Sequence, residues 1–262
     1  MWRSLCHKAW LETRTRVATG AIVVVALCAF MVLVRPRMMV QWPLDKIQHP
    51  EWRDPPWWDL VHTDYAFFLW HYLYHDMLQK AFMVFAVLLG IGGLAREAAQ
   101  GTVGFTLSLP VRRRTLVAAR ATVGAVEIIA LGIIAAMTIL ICSLVIGEPY
   151  PAQHAFFHAA LIALTALVVL AGSLLLSTVV PGEHAPALVG LAAVGMFNYV
   201  MAPYTDGGPV TGALRAFDFV GVMAGGQGAT AADVPWTGLG ISLAVTVFAL
   251  GAALRVNEAR DY

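Results

Sequence analysis

Six stretches of this chain are almost free of charge, and polar clusters separate them. The apolar runs cover residues 17–34, 81–95, 121–146, 155–180, 185–201 and 236–254. About 20 apolar residues in a helix cross the roughly 30 Å hydrocarbon core of a bilayer, so most of these runs are long enough to span. The second is short unless it continues residues 65–79, which read as helical from about Asp64 onward. The pattern therefore predicts an all-α integral membrane protein with six transmembrane helices in a single domain, residues 1–262.

The polar segments carry the rest of the layout. Residues 1–16 place Trp2, Leu5, Ala9 and Trp10 on one face, predicting an interfacial helix that lies along the membrane before the first span. A signal peptide is the rival reading of this end. The run is long for one, and no small-x-small cleavage site precedes Arg35-Pro36. Residues 35–80 hold Trp42, Trp52, Trp57, Trp58 and Trp70 among prolines 36, 43, 50, 55 and 56, which reads as an extracytoplasmic loop at the interface. Residues 204–235 are glycine-rich with an apolar middle. Backbone of that kind is tolerated at membrane depth only where protein or water covers it, so short re-entrant helices are predicted between spans five and six.

Composition agrees: 59% of residues are hydrophobic and 13% charged, far from a soluble domain of this size. Cys6, Cys28 and Cys142 have no metal-ligand spacing and read as small buried apolar residues. The distribution of Lys and Arg over the short loops sets orientation. Four stand in the first segment, five between residues 93 and 120, none at the Pro181 turn and two in the tail, so both termini are placed in the cytoplasm. Arg35 and Arg37 run against this rule.

Between the second and third runs, residues 96–114 become charged and are broken by Gly101, Gly104 and Pro110. A short helix from about residue 96 to 108, a break at Leu109-Pro110 and a new helix near Thr115 follow from the breakers. Glu97, Gly101, Thr102, Ser108, Pro110, Val111 and Arg113 together resemble the segment between spans two and three of exporter-type ABC transporter permeases, the type-2 permease family. That resemblance implies a cytoplasmic coupling helix docking on a separate ATP-hydrolysing subunit. The residues it would engage are Arg96, Glu97, Gly101, Thr102, Val103, Phe105, Leu107, Ser108, Pro110, Arg112, Arg113 and Arg114. Gly104 stands where a helix former is usual, and Arg112 where a small hydroxyl residue often precedes the Arg. The rival reading of the segment is a basic loop that only sets topology.

No G-x-x-x-x-G-K-[ST] stretch is present to wrap phosphates. This chain is therefore expected to carry no cofactor and to be no enzyme, with ATP and Mg on the partner ATPase. The resemblance implies two ATPase copies and a second permease chain, forming a homo- or heterodimer in the inner (plasma) membrane. The lipid bilayer is the remaining partner, and nucleic acid is not one.

Other chemistry is sparse. His71 and His75 are four apart and share a helical face, so with His62 and nearby acids they give an alternative reading as a membrane-embedded metalloenzyme. The plain alternative is an interfacial helix whose histidines sit at head-group depth. Glu127 is the one acid well inside an apolar run, where a charge is costly and usually faces protein or a water-filled path. It is a candidate for the substrate path, with Asn198 and Tyr199, against ordinary pairing or helix packing.

Overall fold

The computed structural model describes residues 1–48, 58–92, 97, 101, 112–180, 182, 184–201, 218–226 and 233–259. Among them helices dominate and no strand occurs. The elements are α1 (Trp2–Gln48), α2 (Trp58–Thr63), α3 (Tyr65–Phe68), a π-helix (Leu69–Leu78), α4 (Gln79–Gly90), α5 (Arg113–Val145), α6 (Ala152–Val179), α7 (Ala185–Met201), α8 (Phe219–Ala224) and α9 (Trp236–Ala259). The protein is an all-α membrane protein. Four described helices, α1, α5, α6 and α9, are long and apolar enough to cross a bilayer.

α6 is the centre of the bundle. It packs against α4, α5, α7, α8 and α9, and its buried residues, among them Ala159, Ile162, Ala166, Leu170 and Leu174, occur on nearly every side. A helix apolar all round belongs in such a place. Small residues allow the close approaches: a Cβ added at Gly132 of α5 would stand 3.2 Å from the Ala159 carbonyl oxygen, and one added at Gly90 of α4 would crowd Ser173 and Leu170 of α6. α1 packs along α5 on the outside of this centre.

The beginning of the chain differs from the sequence reading. Instead of an interfacial helix over 1–16, a span and then a loop, a single 47-residue helix runs from Trp2 to Gln48. Of the predicted apolar face, Leu5 and Ala9 are buried while Trp2 and Trp10 are half exposed. The buried stripe continues through Thr13, four residues further on, so these first turns pack on the protein. α1 also passes through Pro36 and Pro43, which would ordinarily break a helix. Packing supports this extension: Arg35 is buried, and Met38 and Met39 rest on the apolar core.

Within the predicted outer segment over 35–80, α1 continues to Gln48 and α2 covers Trp58–Thr63, where the sequence predicted helix only from about Asp64 onward. Asp64 caps α3 by accepting from the backbone N–H groups of Ala66 and Phe67 at 2.8 and 3.3 Å. From Tyr65 the chain stays helical through the π-helix to Gly90. Residues 65–90 thus form one path, the longer of the two forms the sequence allowed.

Candidate functional site

Two polar clusters sit at opposite ends of α1. At the first, α1 side chains surround the place where the chain leaves α4. Lys8 Nζ donates to Glu97 Oε1 at 2.8 Å. Glu12 Oε2 accepts from Arg120 Nη1 at 2.9 Å. Arg16 Nη1 donates to the carbonyls of Leu88 and Ile91 at 2.5 and 2.7 Å. The last carbonyls of a helix have no intrahelical donor, and a cation there is favourable. Arg16 therefore does for α4 what a capping residue would do.

α5 begins beside this cluster. Arg112 stands at its N-cap with extended backbone and Thr115 N–H donates to its carbonyl at 2.9 Å. The Arg113 carbonyl accepts from Asn257 Nδ2 at 3.3 Å, and Arg114 pairs with Glu258. The end of α9 is thereby fixed to the start of α5. Arg112 and Arg114 remain exposed. The helix starts at Arg113, slightly ahead of the predicted Thr115, because Asn257 and Glu258 hold its first turn.

Of the coupling residues read from the sequence, Glu97, Gly101, Arg112, Arg113 and Arg114 are described. Gly101 has φ +72° with open space around it, a backbone shape that suits glycine. Arg96, Thr102, Val103, Phe105, Leu107, Ser108 and Pro110 lie outside the described residues.

Glu127 is placed in the same neighbourhood. It is 5% exposed and accepts from Thr13 Oγ1 at 2.5 Å, joining α5 to α1, with Arg120 and Arg16 acting on it electrostatically. An apolar groove of about 250 Å³ between α5 and α6, lined by Ile129, Gly132, Ile133, Phe156, Ala159 and Ala163, does not include it. Asn198 and Tyr199 lie on α7, and their side chains fall outside what is described.

The second cluster holds Arg35. Its guanidinium pairs with Glu148 in the turn between α5 and α6 and lies over the rings of Tyr65 and Phe68, 4.8 and 5.4 Å from their centroids. Tyr65 Oη bonds Ser143 Oγ at 2.6 Å and its ring meets Tyr150 edge-on. Burial holds the Tyr150 hydroxyl above the usual phenol range, so it stays neutral. Near this end Trp70 Nε1 donates to the Gly225 carbonyl at 3.0 Å, and His158 Nδ1 donates to the Ala224 carbonyl at 3.1 Å while stacking on Tyr74. Both carbonyls belong to the end of α8, inside the range where the sequence predicts re-entrant helices.

His71 and His75 do share a face, with rings parallel and centroids 6.5 Å apart. Their neighbours are Phe67 and Trp70, and among the described residues no three His, Cys, Asp or Glu side chains gather as a metal site. The metalloenzyme reading gains nothing from this arrangement.

Sequence reasoning missed Glu12, Thr13, Arg120 and Glu148 as site residues. The spacing of Lys8, Glu12 and Arg16, four apart with alternating charge, was the available signal for the first cluster. In a comparison with known families, residues 9–261 match the ABC-2 family transporter protein. No curated protein and no solved structure matches the chain.

Proposed function

Because the chain belongs to the ABC-2 family of transporter proteins and is thus a multi-pass membrane permease of an ABC transporter, we propose that it forms the membrane half of an ATP-driven exporter. On this reading residues 65–90 and α7 complete six spans with α1, α5, α6 and α9, and the Glu97 end faces the cytoplasm of a plasma membrane. Two permease chains, identical or not, enclose the substrate path. Two copies of a separate ATPase bind ATP and Mg and carry all covalent chemistry. The segment over 96–114 docks on that ATPase, with Glu97 and Arg112 to Arg114 setting its register.

The observation that carries the coupling role is the collar at the exit from α4, where Lys8, Arg16 and Arg120 fasten the entry of that segment to two helices. A loop that merely set topology would need positive charge alone. Alternating exposure then requires that ATP bind the two arrangements of the spans unequally.

The test is affinity purification of the full chain from its native membrane in mild detergent, with the companions identified and ATP hydrolysis assayed. An ATPase recovered in equal amount supports the proposal, and a chain recovered alone and inactive overturns it. Replacing Glu97→Lys sets like charge against Lys8 and is expected to reduce ATPase recovery or stimulation with membrane insertion intact. Full assembly and full ATP turnover in that variant would argue against a docking role for Glu97.

A further inference from the structure

The first residues after α4 are held by two arginines that come from different helices. Arg16 of α1 bonds the Leu88 and Ile91 carbonyls. Arg120 of α5 presses its guanidinium against Gly92, which has φ +137° and no side chain; a Cβ at that position would overlap Arg120. Glu12, one turn before Arg16 on α1, accepts from Arg120, and Lys8 extends the same α1 stripe to Glu97. Lys8, Glu12 and Arg16 are spaced four apart, so one face of one helix makes all three contacts.

This geometry differs from a passive helix end. Water at the surface can satisfy terminal carbonyls at little cost, so no arginine is needed merely to end α4. Here the donors are half-buried, charged and anchored on helices that run the length of the bundle. Movement of Leu88, Ile91 and Gly92 must displace α1 through Arg16 and α5 through Arg120, or else break charge-assisted hydrogen bonds.

We propose that Arg16 and Arg120 are positioning residues for ATP coupling, which clamp the entry of the docking segment so that its displacement by the ATPase is passed to α1 and α5 together. Glu12 keeps the two arginines in register, and Gly92 supplies the space for Arg120. The inference rests on the permease reading above and adds to it the route by which motion enters the spans.

The test uses the complex of the full chain with its co-purifying ATPase in lipid nanodiscs. Cys28 and Cys142 are replaced by alanine, and the remaining thiol, Cys6 on the first turns of α1, carries an environment-sensitive fluorophore. ATP with vanadate should change its emission when Arg16 and Arg120 are intact. Arg16→Gln and Arg120→Gln should each shrink that change to about half or less, because each removes a charged hydrogen-bond donor from the clamp. ATPase recovery should stay as in the parent although the thermal midpoint falls modestly, so that the loss is one of transmission and not of docking. Exposed Arg14→Gln should leave the signal unaltered.

Three results would overturn the proposal: a full ATP-driven signal in both arginine variants, an equal loss in Arg14→Gln, or no signal in the parent complex. Failure to recover any ATPase with the parent chain would instead defeat the permease reading itself. Gly92→Ala provides a second variant with both arginines present. It should weaken the signal by pushing Arg120 aside, and an unchanged signal there also counts against the clamp.

Discussion

At Gly90 a single methyl group decides how closely α4 can approach α6. An added Cβ would stand 2.6 Å from Ser173 Cβ and 2.8 Å from the Leu170 carbonyl oxygen, neither of which is the far end of a flexible side chain. Gly90→Ala is expected to destabilise the protein by roughly 1–3 kcal/mol through overpacking. Gly172→Ala, where nothing lies within 4 Å, should cost nothing. Thermal unfolding of the two variants in detergent checks the contrast. The Arg35 pair makes a second residue-scale prediction. Its guanidinium side chain is 6% exposed, so Glu148→Gln leaves a buried charge without its counter-ion and should cost roughly 3 kcal/mol. Adding Arg35→Met to that variant should recover part of the loss, and simple addition of the two effects would show that the groups are not coupled. The sequence marked Arg35 as a charge on the wrong side of the membrane but could not name Glu148, which lies 113 residues away.

At the scale of elements, apolar runs were the legible part. The runs at 121–146, 155–180, 185–201 and 236–254 correspond closely to α5, α6, α7 and α9, because continuous hydrophobicity specifies a buried helix directly. Helix from about Asp64 onward was legible, but the extension of α1 past Arg35 was not: prolines 36 and 43 lower helix propensity, and tertiary packing overrode that preference through Arg35, Met38 and Met39. The π-helix lies in the stretch after Asp64. Such helices are rare and concentrate where a side chain must be aimed, and here Trp70 and Tyr74 meet the end of α8 and His158. Trp70→Phe keeps the ring but removes the N–H, so α8 should loosen by about 1 kcal/mol. Hydrogen exchange over 219–224 would register it. Gly225→Ala should loosen α8 further, since Gly225 has φ +63° and a Cβ there would meet Leu161 at 2.5 Å.

For the whole molecule, class was readable from composition and family from the few residues around Glu97 to Arg113, and the family match over 9–261 agrees. The collar behind that motif was not readable, since it joins residues of α1, α4 and α5 that are distant in sequence. α1 ties the two polar clusters into one object: Arg16 serves one end and Arg35 the other. Inserting one alanine between Val25 and Ala26 would turn one arginine about 100° relative to the other. Only one cluster could then keep its partners, and both thermal midpoint and ATP turnover are expected to fall. Unchanged values would mean that the two ends act independently. The spacing has a further consequence. Arg16 and Arg35 stand 19 residues apart, about 28 Å along a helix, close to the roughly 30 Å of a hydrocarbon core. If α1 crosses the bilayer as proposed above, with one arginine near each boundary, it would act as a ruler for bilayer thickness. In vesicles of longer-chain phosphatidylcholine the helix would have to draw one guanidinium toward hydrocarbon or thin the lipid around it, so ATP turnover should peak at an intermediate acyl length and fall on either side.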